Sequence, residues 1–509
     1  MKVKRISLAL ALTLAVGLTG CAGLTRSEYT APKLAVPAGW NDSPGAAVGQ
    51  GATPPATIPG LAADTSGNAR LGAASTVRAL TLDGWWRSFG DADLDALIDQ
   101  LLARNNDLAA ATLRVRQAQL SAGLAADQLV PAASAGVSTS NGRSLGGRGT
   151  TSRSVAASAS LAWEADLWGR LAAQRDAARW EAVATDEDRA ATALSLVGTA
   201  TRIHYDLGYL NERIALGDAN IADARRTIEL VQLQYAAGAV SSLEIDEARQ
   251  TLAALQASQT TLLLQRDEDR HALAVLFDRP PTGAASAAAD RGAVAADAAP
   301  FGESFAEPAR LPSAALPDIP AGLPADLLAR RPDLRAAESR LRSTLDSADA
   351  TRLAYYPSFS LTGTLGSSSV ALANVLSNPV ATLGSGLTLP FLQQTERQLN
   401  IAREQAIYET AVITFRQTFY EALVEVQDAL SARTQYDEQA RRLEESLAAA
   451  QRTESAYELR YRVGAVALRT WLDAQRTRRD AEASLAANRL NRLLNRVTLH
   501  QALGGRAEI

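Results

Sequence analysis

LLARNNDL at residues 101–108 and LLARRPDL at residues 327–334 are one phrase written twice. The numbering differs by 226 at both ends (327 − 101 and 334 − 108). The same step carries Pro131 onto Pro357, Leu161 onto Leu387, and Tyr235-Ala-Ala-Gly238-Ala-Val240 onto Tyr461-Arg-Val-Gly464-Ala-Val466. A single offset held over such a span marks a tandem duplication. One supersecondary unit has been laid down twice, and a surface that one copy cannot bury must be met by its twin or by another chain. This places the function in an assembly rather than in a catalytic pocket.

Each copy reads as a helix, a hairpin of two strands, a very long helix, a break and a further helix. The fold class is therefore mainly α with a small β part. Repeat 1 is expected over residues 79–279, with its hairpin at about 131–165. Repeat 2 is expected over 323–503, with its hairpin at about 356–391. A proline-rich segment at 280–322 joins them, and 504–509 form a tail. In the first hairpin Ala135 and Val137 alternate with Ser134, Gly136 and Ser138, and the chain returns through Val155, Ala157, Ala159, Leu161 and Trp163. In the second, Phe359, Leu361 and Leu365 alternate with Ser358, Ser360, Thr362 and Thr364, followed by Leu383, Leu387 and Leu389. The apolar positions are all odd, as an even offset requires if both hairpins turn the same face outward. One apolar face backed by small polar residues fits a membrane barrel with lipid outside and water inside. Trp163, Trp168, Tyr355, Tyr356, Phe359 and Phe391 fall near the strand ends, where an interfacial aromatic belt would lie. Four strands cannot close a barrel, so several chains must contribute to one wall.

The helices carry a second periodicity. Leu196, Ala200, Ile203, Leu207, Leu210, Ile214, Gly217, Ile221, Ala224, Ile228 and Val231 step by 4, 3, 4, 3 without a fault. This 3.5-residue repeat predicts left-handed coiled-coil pairing. Val412, Phe415, Phe419, Leu423, Val426 and Leu430 form the matching stripe in the second copy. Each long helix stops at a repeated glycine, Gly238 or Gly464, suited to a left-handed residue just past a helix end. The tips are expected at about 236–242 and 462–468, and Ser241-Ser-Leu-Glu244 has the form of a capping box opening the next helix.

The N-terminus reads as an address. Lys2, Lys4 and Arg5 precede an apolar run from Ile6 to Val16, ending at Leu18-Thr19-Gly20-Cys21. This predicts a signal peptide over 1–20 and a lipid on Cys21, the only cysteine in 509 residues. Ala22 after it favours the outer membrane, and residues 21–78 read as an extended lipidated tether. Hydrophobic residues make up 47%, charged residues 21% and aromatics 5%, with a formal net charge of −4. That balance gives no reason to expect a nucleic-acid partner. The mature chain has no run of eighteen apolar residues, so any crossing of a bilayer must use β-strands.

The stretch Leu316–Glu338 resembles the linker-to-repeat signature of the TolC-like outer membrane efflux channels, particularly the lipoprotein branch of tripartite RND-type drug and metal efflux systems. Trp85-Trp86 with Asp91 to Asp107, the segment Trp163–Arg170 and the two glycine tips match as well. The resemblance covers about residues 80–503. It implies a homotrimer with a twelve-stranded barrel in the outer membrane, continued by a periplasmic α-helical coiled-coil barrel. The function it implies is that of a passive conduit exporting small molecules such as drugs, toxic compounds or metal ions. The implied docking tips, Gly238, Ala239 and Val240 with Val463, Gly464, Ala465 and Val466, would meet a periplasmic adaptor joined to an inner-membrane pump. In that family, acidic residues six and nine positions after the second tip glycine can line a closed entrance. Asp473 holds the ninth position here, but the sixth is Thr470; Glu244 and Glu247 stand at the equivalent steps of the first copy.

A hydrolase would need a nucleophile, a base and a pocket. The only histidines are His204, His271 and His500, with no activated serine motif near them. The only methionine is Met1, which argues against a thioether metal relay, and neither a metal nor a cofactor is expected. The stronger rival is a periplasmic lipoprotein scaffold or adaptor, which shares the heptads and the lipid anchor but needs no lipid-facing hairpins.

Overall fold

The computed structural model describes residues 25–37, 39–40, 84–143, 145, 151–280, 307–313, 319, 324–370, 376–377 and 379–505. The expected signal peptide and Cys21 lie outside the described residues. Helices α1 (Ala92–Arg104) and α2 (Asn106–Asp127) lead into strands β1 (Ala132–Arg143) and β2 (Thr151–Ala165). The long helix α3 (Arg170–Ala236) and the returning helix α4 (Ser242–Leu276) follow. The second copy has a helical turn at Leu327–Arg330, then α5 (Pro332–Leu353), β3 (Ser358–Ser369), β4 (Val380–Thr388), α6 (Gln394–Arg462) and α7 (Leu468–Ala502). Adding 226 to the bounds of α2, β1 and α4 returns those of α5, β3 and α7. At about 1.5 Å per residue, α3 with 67 residues and α6 with 69 each reach roughly 100 Å. No described helix is both long and apolar enough to cross a membrane.

The twice-written phrase does the same job in both copies. Asn105 ends α1, caps α2 through the Leu108 N–H (3.0 Å) and donates to the Leu276 carbonyl (2.9 Å). Its counterpart Arg331 donates to the Ala502 carbonyl (3.2 Å) while pairing with Asp333 (2.7 Å) and Glu425 (2.5 Å). In each repeat the outgoing turn therefore holds the end of the returning helix, which closes the unit. Around these joints sit two apolar clusters. Trp85, Trp86, Phe89, Leu97, Leu101 and Val197 belong to one; Leu334, Phe419, Val426, Leu430 and Leu499 belong to the other.

The heptad seam is buried along its length: Leu196, Ala200, Leu207, Leu210, Ile214, Ile221, Ala224 and Val231 on α3, and Phe415, Phe419, Val426 and Leu430 on α6. Gly217 belongs to this seam because α4 comes very close. A Cβ there would meet Gln259, whose amide donates to the Ile214 carbonyl (3.1 Å) and to Asp218 (3.0 Å). The helices pack as a single layer. In the half nearer the sheet the neighbours run α2, α3, α5, α6; in the far half they run α4, α3, α7, α6.

One expectation needs correction. Residues 25–37 and 39–40 are not a free tether. Arg26 bridges Asp176 on α3 (2.7 Å) and Asp346 on α5 (2.8 Å), and Ser27 hydrogen-bonds Asp349 through both its N–H (2.5 Å) and its hydroxyl (2.7 Å). The Arg342 guanidinium lies between the rings of Tyr29 (4.5 Å) and Trp180 (4.8 Å), and Trp40 is buried beside Phe419. The linker likewise packs where it is described: Glu307 pairs with Arg270 (2.8 Å), and Leu311 is buried against α3.

His500 stacks on Trp85 with centroids 5.0 Å apart, and burial above all, with Arg496 nearby, drives its pKa down to about 4. It is therefore neutral in the fold, whereas the unfolded chain takes up a proton near pH 6.5. This contribution to stability is complete above pH 6.5 and is lost as pH falls toward 4, amounting to about 3 kcal/mol over the window. Denaturation of wild type and His500→Gln at pH 7 and pH 4.5 is expected to show the smaller acid loss in the variant.

Candidate functional site

Two regions carry the candidate residues: the sheet with its collar at one end, and the helical tips at the other. The four strands form one antiparallel meander in the order β1-β2-β3-β4. Its register pairs Ala133 with Leu161, Leu161 with Gly363, and Gly363 with Leu383. On the opposite face Ser134, Ser160, Thr364 and Thr382 line up in the same way. Parity survives every pairing, so the apolar odd positions share one face and the small polar even positions the other. On the odd face Val137, Leu365 and Leu383 are exposed, Leu383 at 91%. At about 3.4 Å per residue, strands of 12 residues tilted near 40° span roughly 30 Å, the thickness of a hydrocarbon core. β1 and β4 are the sheet's two edges.

All six expected interface aromatics gather at one end of this sheet, where β1 and β3 begin and β2 and β4 end. Trp163 Nε1 donates to the Leu129 carbonyl (3.0 Å), and Trp168 Nε1 to the Pro357 carbonyl (2.8 Å), tying the two hairpins together. Trp168 packs on Tyr356 (5.3 Å), and the Tyr355 hydroxyl accepts from Asn400 (2.7 Å). Phe359 and Phe391 are both about 40% exposed. The opposite end bears no aromatic among the described residues, so this is a one-sided collar. The segment beginning at Thr25 reaches it, since the Thr25 hydroxyl donates to the Trp168 carbonyl (2.8 Å).

At the other extreme, α3 and α6 end alike. Gly238 (φ 72°) and Gly464 (φ 74°) adopt the left-handed conformation. The Gly238 N–H bonds the Tyr235 carbonyl (2.9 Å) and the Ala239 N–H reaches back to Gln234 (2.9 Å); Gly464 and Ala465 repeat the pattern on Tyr461 (2.9 Å) and Arg460 (2.8 Å). No atom lies within 4 Å of a Cβ built on either glycine, so backbone angle rather than space demands glycine. Ala239, Ala465 and Val463 are exposed, whereas Val240 and Val466 pack inward on a cluster of Val231, Ala248, Tyr461, Leu468 and Trp471. Tyr461 stacks on Trp471 (5.3 Å) and donates to Gln234 (2.5 Å), joining the second tip to the first.

This sequence matches the family described as "Outer membrane efflux protein" over residues 97–277 and 323–505. The chain belongs to that family. It is 32% identical to the pyoverdine export outer membrane protein OpmQ of Pseudomonas putida over 448 residues, covering 85% of this chain and 90% of that protein. It is 28% identical to the antibiotic efflux pump outer membrane protein ArpC of Pseudomonas putida, covering 98% and 95%. The fold superposes on the outer membrane channel MtrE of Neisseria gonorrhoeae with a TM-score of 0.73 at 24% identity, covering 95% of this chain and 99% of that one. The protein is thus an outer membrane efflux channel subunit. Its sheet supplies four strands of a barrel in the outer membrane, and its helices continue the wall into the periplasm.

In this efflux channel the four candidate gate positions have different surroundings. Glu244 closes the capping box: its carboxylate accepts from the Ser241 N–H (3.0 Å) and hydroxyl (2.5 Å), and the Ser241 hydrogen bond foremost holds its pKa below the usual range. Glu247 faces Arg469 across the tips (3.7 Å). Thr470 lies in the first turn of α7, and Asp473 is exposed one turn further on. Two groups escaped the sequence reading. Trp471 stands where the first copy has Ile245, so comparing the repeats could have marked it. Arg478 on α7 binds Glu454 of α6 (2.5 Å), Glu482 (2.7 Å) and Asn220 of α3 (3.1 Å), pinning three helices below the tips. His204 pairs with Asp91 (2.9 Å) and His271 is exposed; no cluster of three or more His, Cys, Asp or Glu suited to a metal occurs among the described residues.

Gly238→Ala and Gly464→Ala should each cost about 1–2 kcal/mol, the strain of a Cβ at positive φ. Protease sensitivity confined to the tips, with the barrel end intact, is the expected readout.

Proposed function

We propose that this efflux channel is the outer component of a tripartite pump that expels small molecules. Its tips meet the hairpins of a periplasmic adaptor, and an inner-membrane RND-type pump supplies energy and most of the selection. The observation that carries the conduit reading is the sheet: one face apolar, the other small and polar, and both edges without a partner strand among the described residues. In hydrocarbon such edges leave N–H and C=O groups unpaired at several kcal/mol each, which only neighbouring strands relieve. A scaffold or adaptor has no use for that arrangement. Pyoverdine export and antibiotic efflux are the named roles of two relatives, and small-molecule export is what we carry over to this chain.

Two finer assignments belong to the same proposal. Cys21 carries lipid that holds the N-terminus at the membrane surface, a reading supported by the small residues before it and by Thr25, four residues on, lying against the aromatic collar. Asp473 contributes to the periplasmic entrance, where three copies around an axis would attract cations, repel anions and resist close approach.

Reconstitution of purified protein in planar lipid tests both levels. Discrete conductance steps from a detergent-stable trimer are expected, with cation selectivity lowered in Asp473→Asn. A detergent-free monomer without conductance would remove the conduit reading. Unchanged selectivity in the variant would remove Asp473 from the entrance.

A further inference from the structure

The two tips of one protomer share a backbone and differ in charge. Residues 229–250 carry four acids (Glu229, Glu244, Asp246, Glu247) against one arginine, Arg249. The aligned residues 455–476 carry four arginines (Arg460, Arg462, Arg469, Arg476) against two acids, Glu458 and Asp473. Over windows of equal length the first tip is three charges negative and the second two positive. Part of this difference serves the protomer itself, since Arg469 meets Glu247 across the tips at 3.7 Å. Arg462 likewise pairs with Glu458 (2.5 Å) and Arg476 with Asp480 (3.8 Å), yet the side chains of Arg462, Arg469 and Arg476 stay 61%, 76% and 78% exposed.

A second, independent feature lies beside these charges. Leu233 and Leu459, equivalent under the offset of 226, stand in the last turn of α3 and α6 and are 71% and 66% exposed. On the second tip Val463 adds a side chain 71% exposed. An apolar residue left in water at the same place in both repeats, with charged side chains around it, has the composition of an interface centre and its rim. Charge at such a rim governs encounter rate, salt dependence and rejection of wrong partners more than it adds raw affinity.

We infer that the second tip selects its partner by charge. It takes the acidic end of a helical hairpin, whose apolar side covers Leu459 and Val463 and whose carboxylates meet Arg460, Arg462 and Arg476. The first tip offers the same leucine in a negative field and disfavours that end, so a hairpin seated between the tips has one orientation. This deepens the adaptor reading and rests on it, because it supposes that the tips are docking surfaces.

The test uses the full-length trimer in nanodiscs and two disulfide-stapled helical hairpin peptides with the same apolar face, one with three glutamates at its end and one with three lysines. The acidic hairpin should bind at least about 10-fold more tightly than the basic one at roughly 50 mM salt, with the gap shrinking by about 500 mM as screening shortens the range of the field. Arg460→Glu with Arg462→Glu should reverse the preference, and Leu459→Asp should weaken acidic-hairpin binding about 10-fold. Both variants alter exposed side chains, and retention of the trimer on gels and of single-channel conductance checks that they fold. Equal binding of the two hairpins, binding of neither, or binding of anionic phosphatidylglycerol vesicles in preference to the hairpins would overturn the proposal. None of these outcomes touches the conduit reading, which conductance alone decides.

Discussion

Backbone hydrogen bonds at the two edges of the sheet are the constraint on which the rest of the molecule turns. Among the described residues β2 and β3 are paired on both sides, while β1 and β4 are paired on one. In water an edge can be solvated; in hydrocarbon it cannot, and a closed wall is the only arrangement that satisfies every strand. Three copies of the four strands would give twelve, and the even parity of every pairing keeps one lipid-facing surface and one water-facing surface along the sheet. The apolar face would be a liability on an isolated protomer, so closure and membrane insertion are one requirement.

The helices obey the same logic below the membrane. Each protomer is an open layer whose flanks are α2 and α4 on one side and α6 on the other. Leu113, Leu120 and Leu124 on α2, and Leu399, Ile413 and Val424 on α6, are exposed in the single chain. The heptads bury the seams inside a protomer, while the outer surfaces of the flanking helices stay apolar, as a layer that closes against copies of itself needs. The duplication explains why one chain spans both halves: the collar binds one hairpin to the other through Trp168 and Pro357, and the tips bind through Tyr461 and Gln234.

Much of this was legible because it rests on periodicity. Alternation in the hairpins, the unbroken 4, 3 stepping on α3 and the glycine stops are local signals that tertiary packing reinforced. The segment at 25–37 and 39–40 was not legible, because its partners are distant in sequence: Arg26 on Asp176, Ser27 on Asp349 and Tyr29 near Glu338 cannot be inferred from a stretch without periodicity of its own. Among the gate candidates, Glu244 satisfied two patterns at once, a capping box and an acidic ring position, and the structure engages its carboxylate in the cap. The asymmetry between the tips was missed for a different reason, because a repeat is recognised by the letters that match. Tyr235 and Tyr461 are the same letter under the offset, yet Tyr235 is half exposed while Tyr461 is buried against Trp471, a residue that the first copy replaces with Ile245.

Closure of the sheet between copies is open to direct chemical measurement, because the natural chain offers only Cys21 as a competing thiol. Pairs of cysteines on the same face, one on β1 at position 134, 136 or 138 and one on β4 at 382, 384 or 386, can be oxidised in intact outer membranes and resolved on denaturing gels. The account predicts covalent dimers and trimers for the pairs in register and no species beyond three. Monomers alone for every pair, or a ladder that runs on past the trimer, would contradict it.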